Sequence, residues 1–164
     1  MRGLGAVSMQ VTVKLDDVYD ALEPLRGLKL RGAIPGAPTS KLPLGKLVEA
    51  LRDRVVAEEE YRGTRVVAVR LDDATYMVCH FGLEQPDDFC IVVEGENAWD
   101  RIAEAASKLS KLTNESYTLT LSAIIHALQG IIHGEEEEVE EITDLDKVIE
   151  ELLTWLPEYV AVTD

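Results

Sequence analysis

Two cysteines and three histidines are the side chains of this 164-residue sequence best suited to nucleophilic or metal chemistry. Cys79 and His80 are neighbours in the strand-like stretch TYMVCHF, so they point to opposite faces and form no dyad by themselves. Cys79 and Cys90 lie on successive strand-like stretches. If paired residue numbers sum to 169, the two face each other, either as a cross-strand disulfide or as two small buried hydrophobes. The buried free thiols are the preferred expectation. There is no CxxC and no tetrahedral ligand set, so neither metal nor cofactor is expected.

His126 and His133 are seven residues apart, hence on one helix face. An angular count sets both opposite Ile124 and Leu128, facing solvent or a partner. That spacing is too long for the joint chelation seen with four-residue HExxH spacing. His133, near a helix C-terminus, more simply complements the helix dipole when protonated.

Charge supplies two further candidates. From Pro24 to Gly45 the chain carries Arg26, Lys29, Arg31 and Lys41, with Lys46 just beyond, and no acidic residue. Glycines there would let backbone N–H groups approach an anion, so the segment is a candidate site for a phosphorylated ligand or an acidic partner. The competing reading is that it pairs with the protein's own acidic half. Glu135, Glu136, Glu137 and Glu138 form the opposite candidate, an acidic surface for a basic partner, without the spaced pattern of a calcium loop. No GxSxG, HExxH, Rossmann or P-loop signature occurs, which lowers the expectation of an enzyme without excluding a constellation built from distant residues.

The net charge of −15 argues against direct nucleic-acid binding, whose non-specific affinity comes from Lys and Arg on phosphate. It is unevenly placed: residues 1–70 hold 12 Lys/Arg against 9 Asp/Glu, and residues 71–164 hold 4 against 22. No apolar run approaches the ~20 residues needed to span a bilayer, and the start lacks a signal-peptide pattern, so the expected location is cytoplasmic. Only five residues are Asn or Gln, a bias resembling that of heat-adapted proteins.

The elements that must position these groups follow from periodicity. Val7 to Leu15 alternates as a strand, Asp16 or Asp17 opens a short helix stopped at Pro24, and residues 24–45 read as a long Gly/Pro loop. A helix is expected from Leu44 to Glu60, then three strands at Thr64–Leu71, Thr75–Phe81 and Phe89–Glu94, with the Val66–Val69 run central and covered on both faces. Helices follow near Asn97–Leu112 and Ser122–His133, with Gly134 as cap. After an acidic loop at 134–142, a last helix opens at Thr143 and Pro157 stops it; Tyr159–Val162 adds an edge strand.

The expected fold is therefore a single α+β domain over 1–164. Its antiparallel sheet has about four strands, a meander plus the N-terminal strand, packed against helices, with a helical C-terminal half. Residues 1–8 read either as a start-site extension, with Met9 the start, or as a frayed end. The order helix, meander, helix is loosely similar to profilin-type and secretion-chaperone-type adaptors, in element order alone. The function expected is an acidic protein-interaction or adaptor module acting on a protein partner or on itself as a homodimer. The alternatives are a small enzyme or binding protein for an anionic ligand at 24–46, and an acidic mimic of nucleic acid.

Overall fold

Alternation does build an N-terminal strand, β1 (Val11–Lys14), in the computed structural model, which describes residues 10–32, 44–82, 88–132 and 139–164. It does not join the meander. It pairs in parallel with the C-terminal strand, Val160–Thr163, as a separate two-stranded sheet with Val13 opposite Val162. A period of two specifies one buried face, which Val13 supplies, but says nothing about which strand lies alongside. Leu15 already belongs to α1 (Leu15–Leu22), whose first turn carries Asp16 and Asp17 where the helix dipole favours them. A 3₁₀ turn containing Pro24 follows.

Among the described residues the main sheet has six antiparallel strands rather than about four. The additions come from two segments that look like loops in the sequence and one that was expected to be helix. Residues Lys29–Arg31 form β2, inside the expected Gly/Pro loop; residues 33–43 of that loop lie outside the described residues. The expected helix over 44–60 is shorter: α2 (Leu44–Ala50) ends in a 3₁₀ turn at Arg52–Arg54, and Val55–Tyr61 is strand β3. Two β-branched residues open that segment, and pairing with the next strand outweighs its helical spacing. Its signature was Arg62-Gly63, where φ values of 48° and 84° make a two-residue hairpin turn whose twist suits the flanking strands.

The meander continues through β4 (Thr64–Asp72), β5 (Thr75–Gly82) and β6 (Phe89–Glu94). In β4, Val66 to Val69 is buried on both faces, as the apolar run implied. β5 and β6 pair so that Thr75 meets Glu94 and Cys79 meets Cys90, the register summing to 169. The expectation of free thiols is overturned: Cys79 and Cys90 are disulfide-bonded, because this register brings their Cα atoms to 4.0 Å. The sheet order is completed by β2 beside β6 and by β7 (Glu140–Glu141) at the far edge, so the end of the expected acidic loop is also strand.

Among the described residues three helices follow the meander. α3 (Ala98–Thr113) and α4 (Tyr117–Gly130) pack together, and α4 lies across β3, β4 and β5. α4 begins five residues before Ser122 because the Ser116 side chain accepts from Leu119 N–H as its cap. α5 (Leu145–Leu153) is capped by Asp144, one residue after Thr143, and packs on α4 before the chain returns as β8 (Val160–Thr163). The larger core lies between the helices and one sheet face. The smaller one, on the other face, gathers Val67, Met77, Cys79 and Cys90 under Val48 of α2. Among the described residues, no helix is long and apolar enough to cross a membrane.

Candidate functional site

α4 carries no Asp, Glu, Lys or Arg from Tyr117 to Gly130, and ten of its residues, including Ser122 and His126, are buried. It is a central helix without a polar face, so the angular count that set His126 toward solvent fails. His126 is 7% exposed. The charge-free stretch was the available signal of this burial.

Four elements bring a polar and aromatic cluster together around that histidine. Ser122 and His126 are one helical turn apart on α4. His80 on β5 faces Phe89 on β6 across the sheet, their rings stacked at 5.2 Å. The His126 ring meets His80 edge-on at 4.4 Å and Phe89 at 5.1 Å, and stacks on Trp155, just beyond α5, at 4.0 Å. Cys79, as its alternation with His80 required, lies in the other face's core.

Hydrogen bonds join the polar members. His126 Nδ1 lies 2.8 Å from the Ser122 carbonyl oxygen, which can only accept, so that nitrogen carries the proton. Ser122 Oγ is 3.0 Å from His80 Nε2 and 3.4 Å from His126 Nδ1. His80 is 3% and Ser122 9% exposed, whereas Trp155 is 47% exposed. Ser122, His126 and Trp155 also line a surface cleft of about 160 Å³, completed by Leu119, Thr120, Ala123 and Leu156 with Glu115 and Pro157. That is smaller than the roughly 300–1,000 Å³ of drug-sized ligand pockets and suits one bulky side chain or a small organic group.

Comparison with protein-family models, curated proteins and solved structures finds no match.

Of the basic residues expected to bind an anion, Arg26, Lys29, Arg31 and Lys46 are among the described residues. Arg26 bonds to Glu23 at 2.8 Å and to the Thr143 carbonyl at 2.7 Å, and its guanidinium holds the Glu23 carboxyl below the usual range. Arg31 Nε lies 3.5 Å from Glu94, and Lys29 sits in register with Glu94 on one side and Glu141 on the other. Lys46 is exposed on α2, and Lys41 lies outside the described residues, as do Glu135, Glu136, Glu137, Glu138, His133 and Gly134. Within the described part of that segment, Arg26 and Arg31 lie against the protein's own carboxylates. Among the described residues, no three His, Cys, Asp or Glu side chains gather as metal ligands.

Proposed function

We propose that the chain is an interaction module that captures a basic segment of a partner protein by one bulky apolar side chain, seated in the cleft between α4 and the turn after α5. The observation that carries this reading is the exposed Trp155, held flat against buried His126 at the mouth of a mostly apolar cleft. Aromatic side chains with one wet face are the usual anchors of interfaces. Leu153 and Tyr159, 43% and 38% exposed, fall in the same short stretch.

Charge complementarity selects the partner's sign. Residues 139–164 hold eight Asp or Glu against one Lys, and Glu115 stands at the cleft. A positively charged segment gains from this field, whereas a second copy of the same surface is repelled by it. One edge strand of the sheet, β3, carries Glu58, Glu59 and Glu60, which likewise guard against self-pairing.

Amide chemical-shift mapping tests the site. A Lys/Arg-rich peptide carrying a single Leu or Phe should shift Leu119, Ala123, Trp155 and Leu156 saturably. No saturable shifts, shifts confined to β3, or a concentration-dependent homodimer buried at this cleft would overturn the reading.

A further inference from the structure

Ser122 and His80 support a second inference, which goes beyond the docking reading and uses the same cleft. A serine hydroxyl is a weak nucleophile until a base within hydrogen-bond reach takes its proton. His80 Nε2 stands 3.0 Å from Ser122 Oγ, and Ser122 lines the cleft, so a bound small molecule could meet the hydroxyl that this imidazole faces. The second imidazole has a different role. Its Nδ1 carries a proton, held by the Ser122 carbonyl, and lies 3.4 Å from Oγ, within range of an oxygen developing charge beside that atom.

We propose that Ser122 is an acyl-accepting nucleophile with His80 as its general base, and that the substrate class is a small ester whose short apolar acyl group fits beside Leu119, Ala123 and Leu156. In the first step Oγ bonds to the ester carbonyl carbon and its proton passes to His80 Nε2. The carbon–oxygen bond to the alcohol then breaks, and that proton goes to the leaving oxygen. In the second step water, deprotonated by the same nitrogen, attacks the acyl carbon; the bond to Oγ breaks, the proton returns to Oγ, and the carboxylic acid leaves. His126 Nδ1–H turns from the carbonyl to the oxyanion. Ser122 lies within α4, where its backbone N–H belongs to the helix, so one side-chain donor replaces the usual set. Both steps are therefore slow, and with an ester whose leaving group is good, acylation outruns hydrolysis and the acyl-enzyme accumulates.

The test treats the full chain with p-nitrophenyl acetate, follows p-nitrophenolate release, and maps the acetyl group by peptide mass spectrometry. The expected result is one acetyl group per chain on Ser122. Ser122→Ala should remove it, and His80→Gln should slow it roughly a hundredfold, the scale of general-base assistance. Acetylation confined to lysines, or a Ser122 rate unchanged in folded His80→Gln, overturns the proposal. Should His80→Gln not fold, an aryl fluorophosphonate on the unaltered chain decides: a phosphonyl group on Ser122 supports the proposal and an unmodified Ser122 contradicts it.

Discussion

Cys79 and Cys90 are bonded across β5 and β6, and the next rung of the same ladder sets His80 against Phe89 on the opposite face. One pair of strands thus fastens the small core on one side of the sheet and supports the polar cluster on the other.

Closing a loop between residues 11 apart restricts the unfolded chain and is worth about 3 kcal/mol on chain-entropy grounds. The Cys79→Ala/Cys90→Ala protein should melt roughly 6–12 °C lower at this chain size. Calorimetry of the two forms checks it, and an unchanged melting temperature would contradict it.

Position 126 separates the buried reading of α4 from the solvent-facing one. His126→Lys places a charge where the native ring is 7% exposed, between His80 and Trp155. It should lower the free energy of unfolding in urea by at least about 2 kcal/mol, whereas a solvent-facing site would change it by less than about 0.5 kcal/mol.

Gly27 has φ +90° and donates its N–H to the Ile142 carbonyl, joining the strand β2 region to the segment before α5. Gly27→Ala forces a side chain into that backbone conformation and should destabilise by about 1–2 kcal/mol. Gly45, with open space around it, is the control, and its alanine variant should lose less.

Glu58 has its carboxyl held below the usual 4.5, first by the hydrogen bond from Arg65 and also by Arg52. A depressed carboxylate stabilises the fold above its unfolded value, and that contribution is lost as pH falls through the folded value. Urea midpoints measured from pH 7 to about 3 should therefore fall less steeply for Glu58→Gln than for the native chain. Parallel profiles would contradict the coupling.

The sequence and the structure part company where pairing is non-local. The three strands Thr64–Leu71, Thr75–Phe81 and Phe89–Glu94 and the buried Val66–Val69 run were legible because alternation and turn residues are local signals, whereas the register summing to 169 entered only as a condition. β2 and β7 were not, since three and two residues carry too little pattern and are strands only because β6 and then β2 offer an edge. β1 announced itself as a strand but not its parallel partner nearly the whole chain away. The candidate site was the least legible part. His80, Phe89, Ser122, His126 and Trp155 come from four separate segments and share no motif, and only the charge-free composition of α4 hinted that its histidine lay inside.

The central claim, capture of a basic segment at Trp155, is tested most directly by isothermal titration of a Lys/Arg-rich peptide bearing one Leu or Phe into the native chain and into Trp155→Ala. The account predicts one saturable site on the native chain, weakened by added salt, and at least a tenfold loss of affinity in the variant. Equal affinity in the two proteins, or no saturable binding to the native chain, would contradict it.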